Sequence, residues 1–129
     1  MPLRIEIKSL YSYDLKVAGK DLPADVHDFC VDINLDVGIK DSDGSDQFRV
    51  TVCSPSWLVR SMEPGEYRFG RGLLILREFD WQQVEEALAK LLGSCSRENW
   101  ELTAAEISKY LSWEFEGTSN KRHAERGAD

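Results

Sequence analysis

A chain of 129 residues, 42% of them hydrophobic, suffices for one domain with a single core, and its formal net charge is −7. That charge argues against a nucleic-acid binder, which needs a basic surface to neutralise phosphates, and favours a basic partner unless the acidity serves only solubility. No run of about 18 apolar residues is present to form a membrane span; the Met-Pro-Leu-Arg-Ile start has neither a basic region followed by an apolar stretch nor a cleavage site, so a soluble, cytosolic protein is expected.

In chain order, Leu3, Ile5 and Ile7 alternate with Arg4, Glu6 and Lys8, which predicts a first strand ending near Ser9 or Leu10. Residues 12 to 25 form a turn-rich connection in which Pro23 disfavours helix at Leu22. Between residues 29 and 39 the pattern is sharper. Phe29, Val31, Ile33, Leu35, Val37 and Ile39 fall on one side of an extended chain and Asp32, Asn34 and Asp36 on the other, as in a half-buried strand. The same region holds the charge: from Asp14 to Asp46 there are nine acids against three bases, six of the seven net negative charges.

Asp41-Ser-Asp-Gly-Ser-Asp46 is a tight polar connection to a second alternating run, Phe48, Val50 and Val52, so the two strands are expected to pair as an antiparallel hairpin. The Asp-x-Asp-Gly sequence resembles the start of a calcium loop, but the twelfth position from Asp41 is Val52 where a bidentate Glu is required. Ser54 followed by Pro55 signals a helix start, with the helix running to about Met62. Residues 63 to 72 read as a loop from their Pro and Gly content, and Leu73-Leu-Ile-Leu76, apolar on both sides, predicts a central strand covered at least in part on both faces. Asp80 is a cap for a helix in which Trp81, Val84, Leu88, Leu91, Leu92 and Cys95 recur at helical spacing. Asn99 caps a second helix with Trp100, Ala104, Ile107 and Leu111 inward, and Trp113 to Glu116 reads as a short strand or a helical continuation. From Gly117 on there is almost no apolar surface to offset the entropy of ordering, so residues 117–129 are expected to form a disordered tail behind a single domain of residues 1–116. The order of elements predicts an α+β fold, an antiparallel sheet of about four to five strands with helices packed mainly on one face.

Catalytic chemistry finds little support. His27 adjoins a strand and His123 lies in the tail, so neither is placed as the base of a nucleophile. Cys30, Cys53 and Cys95 are odd in number and widely spaced, which fits reduced, buried or nearly buried thiols better than a disulfide framework or a zinc site. Gly65, Gly70 and Gly72 lack the strand, Gly-Lys-Ser/Thr and helix of a phosphate loop. Metal-assisted hydrolysis by the acids would need converging His or Cys ligands, and solvated charge is the simpler reading. No cofactor is expected. Trp57, Trp81, Trp100 and Trp113 each lie at the end of an element, as anchors of helix on sheet or as a partner's hot spot.

Several segments in sequence resemble the immunity protein 8 family of bacterial polymorphic toxin systems, across roughly residues 3 to 116. They are Ile5-Glu-Ile-Lys-Ser-Leu-Tyr-Ser12, Phe48 to Leu58 with its Cys-Ser-Pro-x-Trp-Leu core, Gly72 to Trp81, and Cys95 followed by Trp100 and Tyr110-Leu-Ser-Trp-Glu-Phe-Glu116. The resemblance implies a small α+β protein without catalytic activity that binds and inactivates a cognate toxin domain, with Pro55, Trp57, Trp113 and Phe115 as scaffold. On that footing the expected contact residues are the acidic side of the hairpin, Asp32, Asn34 and Asp36, and the loop acids Asp41, Asp43 and Asp46, whose only basic neighbour in sequence is Lys40. The expected partner is a basic toxin domain, a nuclease being one such class, with no nucleic acid or membrane bound directly and the oligomeric state open. The rival reading is a non-catalytic adaptor or self-assembling structural protein that uses a sheet edge or the two C-terminal helices.

Overall fold

The computed structural model describes residues 1–115, so the tail expected from Gly117 lies outside them. Five strands form one sheet: β1 (Ile5–Tyr11), β2 (Cys30–Ile39), β3 (Asp46–Cys53), β4 (Leu73–Ile75) and β5 (Ser112–Trp113). Among the described residues three helices, α1 (Pro55–Ser61), α2 (Trp81–Cys95) and α3 (Trp100–Ile107), complete an α+β fold.

The alternation in β2 and β3 sets the two faces. In the antiparallel β2–β3 register, Val31 lies opposite Val52, Ile33 opposite Val50 and Leu35 opposite Phe48, and all six are buried. They form one cluster with Val84, Leu88 and Leu92 of α2 and Ala104 and Ile107 of α3. Each such side chain removed from water contributes about 1.5–3 kcal/mol before entropy is counted, so this layer dominates the fold's stability. β1 joins β2 antiparallel with Ile7 opposite Val37 but Ser9 opposite Asp36, which leaves one extra residue on β1 between them. This bulge shifts the phase of the strand, so that Ile5, Ile7 and Leu10 all pack on the core while Tyr11 is carried to the opposite face, where it sits across from Asn34.

Capping works as the sequence predicts. The Ser54 hydroxyl accepts the Trp57 N–H at 3.2 Å, Asp80 accepts from Gln82 at 2.9 Å, and Asn99 accepts from Leu102 at 2.9 Å. Gly38 in β2 is required by close approach: a Cβ there would collide with the carbonyl oxygen of Gly44, so the β2–β3 loop lies directly against the strand.

Four expectations change. Leu73 to Leu76 is not a central strand: β4 pairs parallel with β3 alone, after the crossover through α1, and its Ile75 is 51% exposed. The sheet is therefore mixed, though mostly antiparallel. The final strand is only Ser112–Trp113, which pairs antiparallel with the first half of β3 while β4 takes the second half; Glu114 and Phe115 turn away. Cys53 and Cys95 are buried, but Cys30, at the start of β2, is exposed. Finally, Lys8 lies beside the β2–β3 loop, its ammonium donating to the Ser42 carbonyl and pairing with Glu6 at 3.0 Å, so the loop has a base near it that is remote in sequence. Among the described residues no helix is long and apolar enough to cross a membrane.

Candidate functional site

Because α2 and α3 cover the Val31 to Val37 side, the other face of β1, β2 and β3 is left open by them among the described residues. It is built from Ser9 and Tyr11 of β1, Asp32, Asn34 and Asp36 of β2, and Gln47, Arg49 and Thr51 of β3, brought into rows by the register of the two ladders. Thr51 donates to the Asp32 carboxylate at 2.6 Å and the Ser9 hydroxyl donates to Asp36. Both carboxylates are thus held in place by neighbouring strands. Asn34, in the middle row, is only 5% exposed, and its side-chain oxygen accepts from Gln47, which also donates to the Tyr11 phenol at 2.9 Å. Burial, and then the charges of Asp36, Tyr13 and Glu114, push the Tyr11 phenol above its usual range. A shallow cleft of about 290 Å³ lies beside it, walled by Asn34, Gln47 and Arg49 on one side and by Ser112, Trp113 and Glu114 on the other.

The loop acids divide. Asp41, which takes a left-handed backbone (φ 65°), and Asp43 are exposed. Asp46 is not equivalent to them: it is the first residue of β3, in phase with Phe48 and Val50, and one of its carboxylate oxygens accepts the indole N–H of Trp100 at 2.9 Å and of Trp113 at 3.1 Å. It ties α3 and β5 to the sheet. Of the six residues expected to meet a partner, Asp32, Asp36, Asp41 and Asp43 are available at the surface, while Asn34 and Asp46 are engaged inside the molecule. Three of the four tryptophans anchor the fold: Trp81 is buried and donates to the Asp21 carbonyl at 2.6 Å, Trp100 packs against the core, and Trp113 stacks on Phe48 with centroids 6.1 Å apart.

Exposed aromatic side chains are what sequence reasoning missed. Tyr13 stands edge to face against Tyr11, centroids 5.8 Å apart, and Tyr67 stands likewise against Phe69 at 6.4 Å. A signal was present for the first pair. Tyr11 and Tyr13 are two residues apart at the end of a strand, so extended chain would put both on one face. The bulge at Lys8, invisible to strict alternation, decides that this is the open face.

Among the described residues no three His, Cys, Asp or Glu side chains gather in a way that could hold a metal ion. Burial raises the thiols of Cys53 and Cys95, and crowding by the surrounding chain together with Cys53, Asp32 and Asp14 pushes that of Cys30 up to about 11 even though part of its side chain reaches the surface. The arrangement on this face is one of bonded carboxylates, a polar row and aromatic rings. No curated protein and no solved structure matches the chain. The model of the family described as Immunity protein 8 matches residues 5–117, a span that includes the sheet and the three helices of the described residues, and the chain belongs to the immunity protein 8 family.

Proposed function

We propose that the protein binds a cognate toxin domain through its acidic surface and neutralises it by blocking access to the toxin's active site, without catalysis of its own. The family match carries the immunity role. The acidic surface is supported by the concentration of six of the seven net negative charges between residues 14 and 46. A toxin that acts on nucleic acid must line its cleft with positive charge to hold phosphates, and carboxylates such as Asp32, Asp36, Asp41 and Asp43 can occupy such a cleft in their place. Long-range attraction would mainly speed association, and packed anchors would set the lifetime of the complex. On this reading the protein works in the cytoplasm of the bacterium that makes the toxin.

The test is co-expression with the toxin domain encoded by the neighbouring gene, scored as rescue of growth, followed by stopped-flow association with the purified toxin. Wild-type protein should restore growth, and Asp32→Asn/Asp36→Asn or Asp41→Asn/Asp43→Asn should slow association several-fold at low salt, with the difference shrinking as salt screens the charges over about 10 Å at 0.1 M. Association that is the same for all variants at every salt concentration removes charge docking. Failure to rescue growth removes the immunity reading and leaves the adaptor reading in its place.

A further inference from the structure

Tyr13 is 86% exposed, yet it does not sit on a loose segment. The Ser12 hydroxyl before it donates to the Asp32 carbonyl at 2.7 Å and accepts the N–H groups of Asp14 and Leu15 at 3.1 and 3.3 Å. The Asp14 carboxylate after it accepts the Asp32 N–H at 2.9 Å. The backbone on both sides of Tyr13 is therefore pinned to β2, and its ring rests edge-on against Tyr11, whose phenol is fixed by Gln47. A large ring held in water by its neighbours loses little freedom when a partner covers it, which is the property of a binding anchor.

The surroundings state what kind of group the ring would take. Asp14 and Asp32 flank the turn, and Asp36 and Glu114 lie near enough to Tyr11 to act on its phenol. Arg49, across from Asn34, and Lys8, which lies over Gly38 and is paired with Glu6 at 3.0 Å, are bases on this face, and neither is next to Tyr13 in the register. The face of an aromatic ring is itself negative, and beside carboxylates it attracts a cation more than an apolar group.

The geometry points to Tyr13, backed by Tyr11, as the anchor of the toxin interface, with a lysine or arginine of the toxin domain seated over its ring and paired with Asp14 and Asp32. This rests on the immunity reading above and adds the residue that would hold the complex together. A toxin docked this way leaves slowly because the cation must be stripped from ring and carboxylates together.

The experiment measures association and dissociation rates between the neighbouring-gene toxin domain and full-length protein carrying Tyr13→Ala, Tyr13→Leu or Tyr13→Phe, with urea midpoints as a control for folding. Tyr13→Ala should weaken binding about 30-fold, almost wholly through faster dissociation, while the salt dependence of association stays as in wild type. Tyr13→Phe keeps the ring and should stay within about threefold of wild type, whereas Tyr13→Leu, apolar but without a π face, should fall close to Tyr13→Ala. Toxin binding by Tyr13→Ala within twofold of wild type overturns the anchor and leaves the immunity reading standing. Tyr13→Leu matching Tyr13→Phe overturns the cation. A dimer of the free protein that Tyr13→Ala dissolves assigns the face to a second copy instead. Absence of any toxin binding by the wild-type protein overturns the anchor and the immunity reading together.

Discussion

The open face of the sheet and the β2–β3 loop are both rich in aspartate, and the fold uses the residue differently in each. On the face, Asp32 and Asp36 accept hydroxyl groups from the adjacent strands and stay at the surface, so their charge is presented from fixed positions. In the loop, Asp41 and Asp43 are exposed while Asp46 is committed to two indoles. The cause is strand phase: a residue in step with Phe48 faces the helices whatever its charge. Net charge counted along a segment therefore overstates what a partner can meet, and each carboxylate must be assigned to a face before it is assigned a function.

The largest effect expected from this contrast is on stability. Asp46→Ala removes a charged acceptor shared by Trp100 and Trp113 and leaves two half-buried indole N–H groups to find water, a loss of about 2–4 kcal/mol given the usual strength of bonds to charged groups. Asp43→Ala, a change in open loop, should stay within about 0.5 kcal/mol of wild type. Urea denaturation of the two variants measures the difference directly, and equal midpoints would show that the indoles do not depend on Asp46.

A somewhat smaller loss is expected at Gly38, where the loop meets the strand. Gly38→Ala sets a methyl group against the Gly44 carbonyl, and the loop must lift from β2 at a cost of about 1–3 kcal/mol, the range for forcing atoms into filled space. Because the variant moves Asp41, Asp43 and the Lys8 side chain that bonds their loop but leaves the Asp32 row in place, it also separates the two acidic regions in a toxin-binding assay. Slower association with an unchanged dissociation rate would assign steering to the loop and holding to the face.

The parts of this fold that were legible in sequence rest on local chemistry. The period-two runs Val31 to Val37 and Phe48 to Val52 gave the hairpin and its buried face, and Ser54, Asp80 and Asn99 gave three helix starts, because a cap bonds to a backbone N–H only two or three residues away. What could not be read depends on distant partners. Asp46 meets Trp100 and Trp113 across 54 and 67 residues of chain, and the turn around Tyr13 is fixed by Asp32, 18 residues beyond Asp14. The apolar run at Leu73 misled for a related reason: a short strand at a sheet edge can be as apolar as a central one when a loop and a helix crowd it, and only the pairing shows that its outer side is free.

The two exposed aromatic pairs allow the smallest but most discriminating test. Tyr67 and Phe69 are 81% and 90% exposed and are held out as firmly as Tyr13 is. Between them Arg68 reaches back, donating to the Glu66 carboxylate at 2.6 Å and to the hydroxyl and carbonyl of Ser61 at 3.1 and 2.8 Å. The Glu63 N–H and then Arg68 hold the Glu66 carboxyl below the usual carboxylate range, so the arrangement persists across neutral pH. Residues 60 to 77, however, carry four arginines against two glutamates, the opposite balance to the surroundings of Tyr13. If ring exposure alone selected the toxin, both pairs would serve; if the field of the acids selects it, only Tyr13 does. Tyr67→Ala/Phe69→Ala should therefore leave toxin affinity within about twofold of wild type, as side chains outside the energetic centre of an interface do. A loss comparable with that of Tyr13→Ala would move the holding contact to the loop and leave the acids of the sheet face with steering alone.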